Sequence, residues 1–506
     1  MNCATPKHMT NATKPVIALL ALCSIVSWTA CGGGSSSSRG TTIIIGTGGG
    51  PVGPAFFSMH VNNISSPLPT NPSINVPVAG VRLWDTQTAW AQVETGSGAY
   101  NWTLLDDRVS QARSANLDVL YELARTPGWA YCQSGSCMCG GASACANGTN
   151  VPPASCAYAV DESTPGDCYP PSDLNADGTG SDQIWINWVT TVASRYKGQI
   201  AYYEIWNEPN VAASWQGSWQ QLARMAADAR CIIKGDAGCN SMSTYNNTGI
   251  DPNAQLVSPA FTTSSDQGSA PTPADGLGAY LPKTVSGISG SAAAFADVVA
   301  FHGYPGQSPP EQVAEIFSSV ASKLQSLNVN LPVFDTEGSW GGHGGVPNIT
   351  NGDEQAAFTA RYLMVQEAAG VARMYWYAWD LPDDDGTLWC PTGGDCSPVN
   401  SSQLTKAGIA YQQVVSWLSG ATLAGPCIGN GSVFTCAYTR SGGYQALAVW
   451  DSSQGCNGSC TTTPYTVPSS PSYSQYQDLA GNVTPISGST VQIGAKPILL
   501  ETGNIP

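Results

Sequence analysis

Two glutamates stand at the ends of apolar, strand-like runs. The first run is Tyr202-Tyr203-Glu204-Ile205-Trp206-Asn207-Glu208-Pro209-Asn210. Pro209 cannot extend a hydrogen-bonded ladder, so Glu208 falls at the strand mouth. The second run is Leu331-Pro332-Val333-Phe334-Asp335-Thr336-Glu337-Gly338. Alternation sends Asp335 and Glu337 to one face, with Glu337 nearer the mouth. Two carboxyl groups about 5–5.5 Å apart, one protonated and one ionised, suit double displacement at an acetal carbon: one protonates the leaving oxygen and the other attacks the anomeric carbon. Glu208 fits the acid/base and Glu337 the nucleophile. Alone, either could be a solvated or helix-capping carboxylate; together they read as a catalytic pair. Glu204, inside its strand, reads as structural, and Asp335 competes with Glu337.

Such a pair needs a scaffold that brings distant strand ends together. Short β-prone runs recur at Phe56–Val61, Gly80–Trp84, Asp118–Leu123, Ala201–Trp206, Gln255–Ala260, Val298–His302, Pro332–Thr336 and Arg373–Trp379. Most are continuously apolar, as strands buried on both faces of a parallel sheet should be. Helical patterns lie between them at Leu104–Ala115, Ile184–Tyr196, Trp219–Lys234, Pro310–Leu327 and Glu354–Ala369, with a last one at Lys406–Leu418. This alternation predicts a (β/α)8 (TIM) barrel over residues 51–420, whose C-terminal strand ends carry the chemistry. From about Ala421 the helical patterns stop, and short strands such as Tyr444–Trp450 and Pro497–Glu501 alternate with Gly, Ser, Pro and Asn. Residues 421–506 therefore read as a small antiparallel β-sandwich, with Thr41–Ile45 a candidate extra strand.

The Trp-Asn-Glu-Pro context of Glu208 resembles the fourth strand of clan A glycoside hydrolases. That likeness implies that Asn207 holds a sugar 2-hydroxyl and that the nucleophile sits on strand seven, the place of Glu337. Phe301-His302-Gly303-Tyr304-Pro305 is similar to the clan's sixth strand, which implies that His302 or Tyr304 bonds the nucleophile. Arg82, in Gly80-Val81-Arg82-Leu83-Trp84-Asp85, stands where the second strand often supplies an arginine beside it; a core-satisfied histidine and a structural ion pair are the competing readings. Tyr121-Glu122-Leu123 followed by Pro127-Gly128-Trp129 resembles the third strand of family 39, the β-xylosidase-like group. The resemblance is patchy and covers the barrel. The chain departs from it at the seventh strand, at the eighth (Tyr375-Trp376-Tyr377-Ala378-Trp379-Asp380) and in a cysteine-rich insertion after the third. The likeness therefore implies clan and mechanism but no particular sugar.

A carbohydrate is the expected partner, and this chemistry requires no metal and no organic cofactor. Trp129, Trp215, Trp219, Trp340, Trp379 and Trp389 fall near the expected catalytic face, and aromatic faces stack on sugar rings. Trp379 is the leading sugar platform, with Trp129 a second. Asp380, with Asp383, Asp384 and Asp385, could bind hydroxyls or form a solvated acidic loop. Asp173-Leu174-Asn175-Ala176-Asp177-Gly178 echoes a calcium loop, but its twelfth position is Ile184 rather than a bidentate glutamate, which favours a polar turn. A non-catalytic glycan-binding lipoprotein, or a transglycosylase using the same glutamates, is the alternative.

The N-terminus reads as an export signal. Lys7 and Lys14 precede an apolar run from Val16 to Trp28, too short for the ~20 residues of a spanning helix. Residues 1–30 form the expected signal peptide, and Cys31 the expected lipidation site, opening a Gly/Ser tether over residues 31–50. Trp28 is unusual for such a site, and plain secretion is the other reading. An anchored chain would face the cell surface or periplasm and touch membrane only through its acyl chains. Net charge is −16, and only 11% of residues are charged. Removing residues 1–30 takes away two lysines and no acid, so nucleic acid is excluded as a partner on charge. Of 17 cysteines, the close pairs Cys231/Cys239, Cys390/Cys396, Cys427/Cys436 and Cys456/Cys460 suggest short-loop disulfides in an oxidising compartment. The cluster from Cys132 to Cys168 lacks two clean C-x-x-C pairs, so disulfides are expected there rather than a metal.

Overall fold

Eight short segments, nearly all of whose residues are buried, line up in parallel in the computed structural model and curl until the sheet edges meet. The structure describes residues 42–506 except 47–49, 64, 132–166, 236–238, 240–247, 264–269, 341–348, 382–385, 392–395, 397–401 and 457–458. The barrel strands are β1 (Phe57–His60), β2 (Gly80–Leu83), β3 (Asp118–Leu123), β4 (Tyr202–Ile205), β5 (Gln255–Val257), β6 (Val299–His302), β7 (Val333–Gly338) and β8 (Arg373–Trp376). They follow the order β5-β4-β3-β2-β1-β8-β7-β6, and the parallel bridges Val257–Val298 and Phe261–Phe301 close the ring.

Helices cover the outside: α1 (Thr103–Ser114), α2 (Gln183–Arg195), α3 (Trp219–Ile233), α4 (Pro273–Tyr280), α5 (Val313–Ser326), α6 (Gly352–Ala369) and α7 (Lys406–Leu418). Local chemistry starts and stops them. Ser218 and Gln221 form a reciprocal capping box on α3, and Asn351 caps α6, which ends at Gly370 with φ 101°. The sequence pattern lacks α4 because Gly276 and Gly278 weaken its helical propensity. Gly276 is required there, since a Cβ would overlap the ring of Phe261. The expected helix over 310–327 begins instead as a 3-10 turn at Pro310–Gln312.

The C-terminal strands form a second, antiparallel sheet. Its strands are β9 (Cys427–Asn430), β10 (Val433–Thr439), β11 (Gln445–Asp451), β13 (Gln475–Gln477), β14 (Val483–Pro485) and β16 (Ile498–Glu501). β12 (Thr462–Thr466) and β15 (Thr490–Gly494) form a separate ribbon. Thr42–Ile45 pairs antiparallel with β9, completing one edge. Leu447, Val449, Ile498 and Leu500 meet Val491 and Ile493 of the ribbon, giving the two layers of a small sandwich. The opposite face presents Phe434, Tyr438 and Trp450 to the core shared with the barrel.

Polar contacts lock this junction. Glu311 accepts from Arg361 of α6 at 2.6 and 2.5 Å and from the Trp450 indole at 2.7 Å. Arg440 donates to the last carbonyls of α7, and Lys496 to Asp353 of α6. All four expected short-loop disulfides are present, and Cys168 is disulfide-bonded as well. The signal segment, Cys31, the other cysteines of the Cys132–Cys168 cluster and Asp383–Asp385 lie outside the described residues.

Removing Glu311 leaves the mostly buried Arg361 guanidinium without its carboxylate. Glu311→Ala should cost about 3 kcal/mol and lower the melting temperature in calorimetry. Barrel and sandwich should still unfold in one transition, because a single apolar core spans both.

Candidate active site

Arg82 of β2 points into the barrel and is fully buried. Its Nε donates to Glu204 at 2.6 Å, Nη1 to Glu337 at 2.9 Å, and Nη2 to the side chain of Asn207 at 3.0 Å. Nη2 also bonds Glu122, so one guanidinium serves three carboxylates from β3, β4 and β7. Register explains the meeting: Glu122 pairs with Glu204 across β3 and β4, and His60 pairs with Arg82 across β1 and β2. Burial alone would lower the affinity of Arg82 for its proton, but Glu204, Glu122 and Glu337 outweigh it and hold the group protonated. Glu122 moves the other way. Burial raises its pKa well above the carboxylate range, and Arg82 opposes without reversing the shift.

Glu337 lies on this floor. Its Oε2 takes the Arg82 bond and its Oε1 accepts from the Tyr304 hydroxyl at 2.8 Å. Burial raises its pKa, with Glu208 adding to the rise and His302 and Arg82 opposing it. Glu208 faces it from β4, and burial raises its pKa too. The Glu208 backbone N–H donates to Ala260, and its Oε1 meets Nδ1 of His302 at 2.8 Å. His302 is fully buried, and burial holds its pKa down to about 4, so it is neutral at neutral pH. Oxygens of Glu208 and Glu337 and a ring nitrogen of His302 all lie within 4.8 Å of one another. These three groups could also ligate an ion, although Arg82 already supplies a cation to Glu337.

The backbone at the end of β4 is unusual. Trp206 and Glu208 adopt left-handed φ values of 67° and 42° on either side of Asn207. Each such non-glycine residue costs on the order of 1–3 kcal/mol and persists where surrounding structure dictates it. Here the Trp206 indole bonds Ser214, and the Asn207–Ala260 bridge holds the turn.

Asp335 does not share a face with Glu337. β7 carries a bulge between residues 335 and 337, which breaks strict alternation. Thr336 and Glu337 point inward, Thr336 donating to Glu204 at 2.8 Å. Asp335 turns towards α6, where it bonds Tyr362 and Gln366, and it also accepts from the Gly303 N–H. Burial pushes its carboxyl up to about 8. A Cβ at Gly338 would overlap the Tyr362 hydroxyl, so the residue after Glu337 must be glycine for this packing.

Other expected positions divide. Arg82, Asn207, His302 and Tyr304 converge on the two glutamates. Trp379 is fully buried; its indole bonds the Pro67 carbonyl and its ring stacks on Trp389, so it presents no face to a sugar. Trp215, Trp340 and Trp389 are buried as well, whereas Trp129 and Trp219 are half-buried. Asp380 is buried and accepts the backbone N–H groups of Asn62 and Asn63, so it organises the turn after β1 instead of lying open. The Asp173–Gly178 segment closes as a polar turn: Asp173 accepts from the first N–H groups of α2, and Asp177 from Thr179. His60, Asp85, Glu122 and Tyr377 join the site unannounced by the sequence reading. Their common signal is a polar residue inside or just past an otherwise apolar strand.

Neither a protein-family model nor a curated protein sequence matches the chain. Its fold does match solved structures. A family 39 glycoside hydrolase from the gut symbiont Bacteroides cellulosilyticus WH2 superposes with a TM-score of 0.57 at 15% identity, covering 88% of this chain and 81% of that one. The GH39 enzyme from Xanthomonas axonopodis pv. citri gives 0.53 at 15% identity, covering 90% and 95%. A GH30 endoxylanase from Clostridium papyrosolvens C71 gives 0.50 at 11% identity, covering 90% and 97%. The chain therefore has the fold of these glycoside hydrolases: a (β/α)8 barrel joined to an antiparallel β-sandwich.

Proposed function

We propose that this protein is a retaining glycoside hydrolase that cleaves β-linked sugars of oligo- or polysaccharides, as a β-xylosidase-like enzyme or a related β-glycosidase or endo-β-glycanase. The observation that carries the reading is that a carboxylate oxygen of Glu208 and one of Glu337 lie within 4.8 Å of each other. So close an approach favours a nucleophile in direct contact with the anomeric carbon over the wider carboxyl spacing, about 6.5–9.5 Å, that holds an intervening water in inverting enzymes. The fold shared with family 39 and family 30 enzymes supports it.

In the first step Glu208 donates its proton to the glycosidic oxygen while Glu337 attacks the anomeric carbon, and the aglycone leaves as an alcohol. In the second, Glu208 takes a proton from water, the water oxygen attacks the anomeric carbon, and the Glu337 ester bond breaks. Burial raises Glu208 and supports its protonated role. Glu337 is offered the charge of Arg82 and the hydroxyl of Tyr304, both of which favour a carboxylate. Asn207, anchored on Arg82, is placed to meet the sugar hydroxyl next to the reacting carbon. Export to an oxidising compartment, by the N-terminal signal and with Cys31 as lipid anchor, belongs to the same proposal; the disulfides support it.

Glu208→Ala and Glu337→Ala should each lower kcat on aryl β-glycosides by several orders of magnitude. Azide should rescue Glu337→Ala to an α-glycosyl azide and Glu208→Ala to the β-anomer, read by NMR. Full activity in either variant would sink the mechanism. Arg82→Lys keeps a positive charge but loses the planar fork that reaches three carboxylates. It should lower kcat about 100-fold or more and also the melting temperature, since Glu122 and Glu204 remain buried without their partner.

A further inference from the structure

If the two glutamates cleave a glycosidic bond, one wall of the cleft still lacks a role. Asp85 stands three residues beyond Arg82, past the end of β2. It remains accessible to solvent although protein crowds it closely enough to raise its carboxyl above the ordinary range. Its Oδ2 accepts from the Tyr377 hydroxyl at 2.7 Å. Among the described residues no cation forms an ion pair with it, although Arg82 and Arg125 act on it from further off. Its charge is felt at Glu337, and it feels those of Arg82 and Glu208 in turn, so it belongs to the same cleft.

Tyr377 ties this carboxylate to the catalytic floor. Its ring packs edge-on against His60 with centroids 5.0 Å apart, and His60 touches Arg82 at 3.2 Å. Asn62 stands beside Tyr377, held by the bonds that Asp380 makes to its backbone, and its side-chain Oδ1 is buried without a hydrogen-bond partner. These groups come from β8, β1 and β2, across the barrel from Glu208 on β4. Since Glu208 protonates the leaving oxygen, the aglycone departs on the β4 side. The sugar bonded by Glu337 then extends towards Asp85.

A carboxylate with one neutral donor and no ion-pair partner keeps acceptor capacity for further donors. Neighbouring sugar hydroxyls supply such donors in pairs, whereas a second carboxylate would be repelled. We infer that Asp85 and Tyr377 hold the glycone, Asp85 accepting hydrogen bonds from adjacent ring hydroxyls, and that the pair selects neutral sugars with those hydroxyls free over uronates. The inference rests on the glycosidase reading and names the substrate class of that site.

The test uses the purified full chain, Asp85→Asn and Tyr377→Phe. Substrates are the 4-nitrophenyl β-glycoside turned over fastest among glucoside, galactoside and xyloside, its monodeoxy analogues and the matching glucuronide. Asp85→Asn should lower kcat/KM on the neutral glycoside about 10–100-fold with its melting temperature nearly unchanged, and Tyr377→Phe about 3–10-fold. One deoxygenation that costs the wild type heavily should cost Asp85→Asn little, because the contact is already gone. The ratio of glucuronide to neutral cleavage should rise. Unchanged kcat/KM in Asp85→Asn, or deoxygenation losses that multiply independently of residue 85, would overturn the inference while leaving the glycosidase reading intact. A folded wild type that cleaves no glycoside would instead overturn the reading beneath it. Should Asp85→Asn fail to fold, the same non-additivity in Tyr377→Phe decides.

Discussion

A guanidinium with no access to water must find carboxyl partners, and in this barrel Arg82 finds three. A buried charge costs several kcal/mol alone, so Arg82 and the carboxyl groups of Glu122, Glu204 and Glu337 are tolerable only as a set. Their bonds tie β2 to β3, β4 and β7 at one level of the barrel. The geometry of the candidate site follows from that arrangement. Asn207 is oriented because its carbonyl oxygen accepts from the same guanidinium, and His60 packs where Arg82 leaves room beside Tyr377. Glu122, whose proton affinity burial raises strongly, keeps the cluster from becoming over-negative.

This cluster also separates two otherwise similar glutamates. Burial raises both Glu208 and Glu337, and nothing intrinsic distinguishes acid from nucleophile. Their partners do. Glu337 receives a cation and a hydroxyl donor, whereas Glu208 meets a histidine that burial keeps neutral. Glu208 feels Arg82 and Arg125 only from a distance, and a carboxyl that touches no arginine keeps its proton more readily than one that does. The unequal surroundings support the proposed assignment of the acid to Glu208.

The barrel was legible because its strands are continuously apolar and the two proposed catalytic glutamates sit where such runs stop. Glu208 announced itself through Pro209. The direction of Asp335 was not legible, because strict alternation assumes a regular strand and the bulge at residues 335–337 adds a residue to the inward face. Trp379 misled for a related reason. A tryptophan at a strand end can face the cleft or fold back under it, and only the pairing of its indole with Pro67 and its ring with Trp389 decides. Asp380, which could have bound hydroxyls or joined a solvated loop, is buried and shapes the turn that carries Asn62. The Asp85–Tyr377 contact joins residues nearly 300 positions apart, and no local pattern encodes such a meeting.

The bulge also gives the C-terminal sandwich a physical connection to the candidate site. Glu337 faces inward while Asp335 is drawn outward to Tyr362 and Gln366 of α6. One residue before Tyr362, Arg361 grips Glu311, which in turn accepts from Trp450 of β11. Lys496, just before β16, reaches Asp353 at the start of the same helix. The sheet therefore braces α6, α6 holds Asp335, and Asp335 lies two residues before Glu337 on the same strand. Catalytic groups must be held to within about 0.5 Å of their working geometry. On the proposed reading, a β-sandwich can serve that requirement without contributing a side chain to the two-glutamate site.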